Sequence, residues 1–190
     1  MQELGRTLGP GQARWLSGYF AGLDAGLSRD VETAAPAPSG SRTLTLLYGT
    51  ETGNARELGR ALAAAAAEKG FVPQLADMSD YKVRQLKDEQ DLLVIVSTYG
   101  EGDPPQPAIG FFEYLEGNRA PKLPGLRYSV LALGDSTYEK YCEAGKRIDH
   151  RLEALGADRI HARVDCDLDY EEPAAAWSAQ LLALLAAGSS

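Results

Sequence analysis

The sequence predicts an α/β fold, a doubly wound parallel sheet of five strands with helices on both faces. Three observations carry this expectation. Between residues 42 and 186, strand-like and helix-like segments alternate, the pattern of parallel strands joined by helical crossovers. The run Asp91-Leu92-Leu93-Val94-Ile95-Val96-Ser97 is apolar on both faces, as a strand between two helical layers must be. Loops rich in glycine, hydroxyl and aromatic residues follow the strands, at the sheet edge where such folds bind ligands.

Taken in order, Thr43–Tyr48 reads as a short buried strand. The Ala-rich stretch Asn54–Lys69 is helical and Gly70 stops it. Val72–Ala76 is a short second strand and Asp91–Ser97 the central third. Ala108–Leu115 is a helix, Tyr128–Leu133 the fourth strand, and Lys140–Leu155 a helix stopped by Gly156. Arg159–Val164 alternates Ile160, Ala162 and Val164 and reads as a fifth strand. Pro173 opens a last helix through Trp177, Leu181, Leu182 and Leu185.

Ahead of this domain, residues 1–27 form a separate helical segment. Leu16, Tyr19, Phe20, Leu23 and Leu27 recur at helical spacing, with Trp15 beside them, although Gly18, Gly22 and Gly26 each weaken the helix by about 1 kcal/mol. The stripe covers either its own domain or another chain. Residues 28–41, with Pro36 and Pro38 among small residues, read as a linker.

Lys plus Arg number 19 against 27 Asp plus Glu, a formal charge of −8. That speaks against nucleic acid and favours a positively charged partner. A hydrophobic content of 44% with 24% charged residues excludes disorder as the dominant state. No apolar run approaches the roughly 20 residues that span a bilayer, and the N-terminus lacks a secretory signal pattern, so no membrane and a cytoplasmic location are expected. Cys142 and Cys166 are expected as free thiols, too few for a structural zinc site.

The loop after the first strand, Gly49-Thr50-Glu51-Thr52-Gly53-Asn54-Ala55, runs straight into a helix. Unpaired N–H groups and the helix dipole there attract an anion without a lysine, and Thr50, Thr52 and Asn54 can add side-chain hydrogen bonds. The loop lacks both the Gly-Lys-Ser/Thr of a nucleoside-triphosphate loop and a GxGxxG, which favours a phosphate monoester. The bland alternative is a helix start capped by Thr52 or Asn54. After the third strand comes Ser97-Thr98-Tyr99-Gly100-Glu101-Gly102-Asp103-Pro104-Pro105, which places a tyrosine beside glycines, suited to a planar ligand. After the fourth comes Leu133-Gly134-Asp135-Ser136-Thr137-Tyr138-Glu139-Lys140-Tyr141-Cys142, with a second tyrosine. Two aromatic loops facing one phosphate loop suggest a flat heteroaromatic phosphate ester. Cys142 reads as a packing residue, and His150 and His161 as surface positions on a helix and a strand, without a catalytic role.

These three motifs resemble the FMN-binding loops of flavodoxin-like domains in diflavin reductases, which include cytochrome P450 reductase and the flavoprotein subunit of NADPH–sulfite reductase. The resemblance runs from about residue 42 to 186. Gln12–Phe20 is similar to the stretch that precedes the FMN domain in the sulfite reductase branch, and Arg163-Val164-Asp165-Cys166-Asp167 to its segment after the last strand. Ala55 replaces a threonine of many small flavodoxins but is shared by that branch. Tyr99 looks more like the P450 reductase pattern than the glutamine of some members.

The resemblance implies strand order 2-1-3-4-5 and FMN as cofactor, held by residues 50–55, 97–100, 133–142 and Asp167. It implies electron transfer, with electrons arriving from an FAD- and NADPH-binding reductase module and leaving singly for a haem or iron–sulfur acceptor. The flavin carries the redox chemistry, so no catalytic side chain or metal is expected. Diflavin reductases continue into the FAD module, so the chain is expected to be either an excised domain or a free-standing carrier. An FMN-dependent quinone reductase would need a pyridine-nucleotide site, for which no insertion is present. A receiver-type signalling domain would need an acid at the end of the third strand, where Ser97, Thr98 and Tyr99 stand. Glu101, Asp103, Glu139, Glu143, Asp165, Asp167, Asp169, Glu171 and Glu172 lie in or just after the ligand loops, which predicts an acceptor with a basic face.

Overall fold

A computed structural model of the chain describes residues 42–188. The expected N-terminal helix and linker lie outside the described residues. The elements in order are β1 (Leu44–Gly49), α1 (Asn54–Glu68), β2 (Pro73–Asp77), a 3-10 helix (Val83–Asp88), β3 (Asp91–Ser97), a 3-10 turn (Gln106–Ala108), α2 (Ile109–Glu116), β4 (Arg127–Leu133), α3 (Glu143–Ala154), β5 (Asp158–Arg159), β6 (Val164–Cys166) and α4 (Glu171–Ala187). All pairings are parallel, in the order β2-β1-β3-β4-β5, with β6 also on β4. The doubly wound sheet and its order are therefore as the sequence predicted.

Alternation along β3 divides the core in two. Leu92, Val94 and Val96 face a layer with Phe111, Phe112 and Leu115 of α2 and Ile148 and Leu152 of α3. Leu93 and Ile95 face the other layer, with Leu62 and Ala66 of α1 and Trp177, Leu181 and Leu185 of α4. All five of these β3 side chains are buried, each contributing about 1.5–3 kcal/mol. The Trp177 indole N–H donates to Ser129 Oγ at 2.9 Å, which satisfies both polar groups inside the core. Gly145 lets α3 sit directly on β4, since a Cβ there would lie 2.2 Å from the Ala132 Cβ.

At the pole opposite the strands' carboxyl ends, the buried Asp91 carboxylate accepts a fork from Arg127, at 2.6 and 2.8 Å, and a longer bond from Arg42 Nε at 3.2 Å. The Arg42 Nη2 also donates to the Gln90 and Gly125 carbonyls. Gly188, beyond α4, comes against the Arg127 guanidinium. The chain thus enters and leaves the described domain at the same pole.

Three expectations need correction. The fifth strand is not continuous over Arg159–Val164. It forms β5 and β6, separated by a bend at residues 160–163. Charge overrides the alternating pattern there: Arg159 and Arg163, at the ends of the bend, are both drawn onto the buried carboxylate of Asp149, at 2.8 Å each. His161 accordingly lies in the bend, not on a strand, bonded to Gln180. The helix expected from Lys140 begins at Glu143, because Cys142 adopts a left-handed conformation (φ 56°) that ends a turn before it. The 3-10 helix at Val83–Asp88 was not foreseen.

Candidate functional site

At the carboxyl edge of the sheet, the loop after β1 is held by its own residues. The Gly53 N–H donates to Thr50 Oγ1 at 3.0 Å, and Gly53 then turns left-handed (φ 98°) to start α1. No side chain caps this helix, so the alternative of a Thr52 or Asn54 cap is not realised. The Glu57 N–H is the first to reach a helical carbonyl, that of Gly53, so the N–H groups of Asn54, Ala55 and Arg56 precede the helical ladder. Thr52 and Asn54 stand exposed at this anion-ready turn, whereas Thr50 is buried and Ala55 belongs to the core. Glu51 points away to another task, accepting the Gln106 N–H at 2.7 Å and thereby tying the first loop to the second.

The loop after β3 closes on itself. Tyr99 and Asp103 exchange backbone hydrogen bonds at 2.8 and 2.9 Å around Gly100 (φ 50°) and Gly102 (φ 108°). The Ala144 N–H at the start of α3 donates to Thr98 Oγ1, joining this loop to the next. Ser97 Oγ lies 3.5 Å from Thr50 Oγ1.

After β4, the Gly134 N–H donates to the Cys166 carbonyl. Asp135 folds the turn by accepting the backbone and hydroxyl hydrogens of Thr137. Asp167, one residue past β6, accepts the Ser136 N–H at 3.1 Å, the Ser136 hydroxyl, and the Leu168 N–H at 2.9 Å. The Ser136 hydroxyl, then the Ser136 and Leu168 amides, hold its carboxyl below the ordinary aspartate range. Cys142 is fully buried, its thiol against the carbonyls of Ala132 and Cys166, and burial pushes it up to about 12. It is a packing group, as expected, and an inert one. The neighbouring Tyr141 hydroxyl is also raised, first by burial.

Together these loops enclose a cleft of about 280 Å³, just below the range of about 300–1,000 Å³ usual for small-molecule sites. Of the predicted residues, Glu51, Thr52, Asn54, Ser97, Thr98, Tyr99, Gly100, Leu133, Gly134, Asp135, Tyr138, Lys140, Tyr141, Cys142 and Asp167 line it. Thr50, Gly53, Ala55, Ser136, Thr137 and Glu139 do not, and Thr50, Gly53, Ser136 and Thr137 instead hold the loops in shape. Tyr99 and Tyr138 are 59% and 49% exposed, an unusual outlay of aromatic surface unless a ligand covers it. Pro105, Leu168 and Tyr170 also line the cleft and were missed. The position of Leu168 and Tyr170, just beyond the last strand, was the signal that could have found them. Among the described residues, no cluster of His, Cys, Asp or Glu could hold a metal ion, and no helix is long and apolar enough to cross a membrane.

A doubly wound sheet of this order, with a phosphate-type turn after β1 and aromatic loops after β3 and β4, defines a flavodoxin-type FMN domain. The flavodoxin family profile matches residues 46–177, and the chain belongs to that family. It is an FMN-binding electron carrier by that membership. Over 178 residues it is 49% identical to the sulfite reductase [NADPH] flavoprotein alpha-component of Bacillus subtilis, an alignment covering 90% of this chain and 29% of that protein. The corresponding protein of Shewanella oneidensis is 45% identical, with 96% and 30% covered. The chain therefore spans about 30% of the length of these relatives. Among solved structures, a flavodoxin of Streptococcus pneumoniae TIGR4 matches with TM-score 0.69 and 25% identity, over 77% of this chain and 99% of that one. A short-chain flavodoxin associated with a bacterial microcompartment matches with TM-score 0.69 at 23% identity, over 78% and 99%, and shares the fold.

Proposed function

We propose that the cleft holds FMN with its phosphate at residues 50–55 and its ring between the Tyr99 and Tyr138 loops, and that the domain relays electrons from an FAD- and NADPH-binding reductase module to a haem or iron–sulfur acceptor, as in a sulfite reductase flavoprotein. The uncapped start of α1 carries this reading. Its amides have no side-chain acceptor, and a phosphate supplies one. Thr52 and Asn54 add hydrogen bonds to that phosphate from exposed positions. Bound FMN supplies the one- and two-electron chemistry.

The chain's own residues do the rest. Tyr99 and Tyr138 cover the ring and exclude water from it, at about 0.5–1.5 kcal/mol per aromatic pair beyond area burial. Gly100, with nothing within 4 Å of a notional Cβ, leaves its peptide room to face the ring in either orientation. Glu51, through Gln106, and Asp167, through Ser136, fix the loops that carry these groups. The acidic side chains around the mouth favour an acceptor with a basic face, and none of the roles requires nucleic acid or a membrane.

The test is a titration of the flavin-free chain with FMN and riboflavin, followed by reduction through a separate FAD/NADPH reductase module. Tight FMN binding with quenched flavin fluorescence, weak riboflavin binding, and NADPH-dependent passage of electrons to a haem acceptor are the expected results. Equal affinities for the two flavins would overturn the phosphate assignment.

A further inference from the structure

The acidic composition of the cleft suggests a site hostile to added negative charge, yet its carboxylates are all engaged by the protein. Glu51 accepts the Gln106 N–H, Asp135 accepts the Thr137 N–H and hydroxyl, and Asp167 accepts two amides and the Ser136 hydroxyl. Lys140 is the one basic side chain among the described residues that line the cleft. Its ammonium has no hydrogen-bond acceptor or carboxylate partner among them. Its stem is nonetheless placed by the loop opposite. The aliphatic stem lies flat on Gly102, where a Cβ would come within 2.6 Å of Lys140 Cδ and 2.7 Å of its Cβ. Only a glycine leaves room for it, and Gly102 is held left-handed by the Tyr99–Asp103 turn. The lysine therefore sits where the two tyrosine loops meet. It follows β4, which is separated from β1 and its phosphate turn by β3, or about 10 Å across the sheet.

We propose that Lys140 is the charge this site presents to the flavin ring, and that it makes the cleft favour reduced FMN, which gains negative charge, over oxidised FMN. The proposal rests on the FMN reading above and adds a specificity determinant to it. Reduction to the anion adds two electrons and one proton, so one negative charge appears on the ring. An ammonium held at the junction of the loops attracts that charge, whereas the neutral oxidised ring gains little from it. Because the phosphate turn is elsewhere, the preference is set at the ring and is shared by riboflavin.

The experiment uses the full chain and three variants: Lys140→Met, which keeps the stem and removes the charge, Lys140→Arg, which restores it, and Lys140→Glu, which reverses it. Dissociation constants for FMN and riboflavin are measured aerobically and again after dithionite reduction, and the midpoint potential of bound FMN is measured in parallel. Lys140→Met is expected to weaken reduced flavin about tenfold more than oxidised flavin, for FMN and riboflavin alike, with a matching fall in potential. Lys140→Arg should retain the wild-type ratio and Lys140→Glu should exceed the loss. Equal losses in both redox states would make Lys140 a packing residue and overturn the proposal. A loss confined to FMN would make it a phosphate ligand and also overturn it. A wild-type chain that binds neither flavin would instead overturn the underlying FMN reading.

Discussion

The Ser136 amide and the Asp167 carboxylate meet at 3.1 Å across 31 residues of sequence, and the Ser136 hydroxyl adds a second bond to the same carboxylate. One side chain thus fastens the tyrosine loop after β4 to the segment after β6. Hydrogen bonds to the ionised form lower its pKa, so the fold favours the carboxylate. The sign follows: the stabilisation is present above the ordinary aspartate value of about 3.9 and is lost as pH falls through the lower folded value. The Ser136 amide resonance should therefore stay constant from pH 8 to about pH 5 and move only in stronger acid. A midpoint at the ordinary value of about 3.9 or above would show that the clasp does not form in solution. Asp167→Asn should remove the titration and raise the rate of FMN release.

At the phosphate turn, Thr52→Ala should weaken FMN about tenfold or more, since a hydrogen bond to a charged group contributes about 1.5–3 kcal/mol. Thr50→Ala should act differently. Its hydroxyl holds the Gly53 amide, so its loss should lower the melting temperature as well as the affinity. Calorimetry on both variants separates ligand contact from loop support.

Flavin emission reports on the tyrosines. Bound FMN should be nearly dark, and replacing Tyr99 or Tyr138 by Ala should loosen it and restore fluorescence in the bound state. If neither substitution changes emission or affinity, the rings are scaffold rather than ligand contacts.

How far the sequence carried the fold and site follows from which forces act locally. β3 was legible because Asp91–Ser97 is apolar on both faces, and the cleft loops because strand ends, glycines and tyrosines coincide. The break in the fifth strand was not. Ile160, Ala162 and Val164 alternate as in a strand, but the buried carboxylate that bends them, Asp149, lies on another element, 10 and 14 residues away from Arg159 and Arg163. The start of α3 was misplaced for a similar reason. Cys142 is left-handed because its thiol is packed between two strand carbonyls, a tertiary requirement invisible in its neighbours. The engagement of Glu51 by Gln106, 55 residues on, was equally beyond local reading.

The contact between α3 and β4 gives a stability test away from the cleft. Gly145→Ala would set a methyl 2.2 Å from the Ala132 Cβ and 3.2 Å from its Cα. Overpacking of this kind costs about 1–3 kcal/mol, against at most about 1 kcal/mol returned by better helix propensity. Thermal unfolding should shift downward by a few degrees. An upward shift would mean that α3 can lift off the sheet without penalty.

Electron delivery to a basic haem protein such as cytochrome c should slow as salt rises, because the screening length falls from about 10 Å at 0.1 M to about 3 Å at 1 M. Charge reversal at Asp103 together with Glu139 should reduce the low-salt rate and flatten this dependence. A rate that ignores ionic strength would remove the acidic rim from the docking face.

The ion cluster around Asp91 has a consequence for anyone wiring this domain to a device. Because Arg42 and Gly188 both converge on the Arg127–Asp91 pair, the two ends of the described domain exit side by side, at the far side of the sheet from the tyrosine cleft. An electrode linker attached at either end would leave the electron-exchanging mouth pointing away from the support, towards solution. Direct contact between flavin and electrode would then call for an anchor on the cleft side, at a position such as Glu139, rather than at either end.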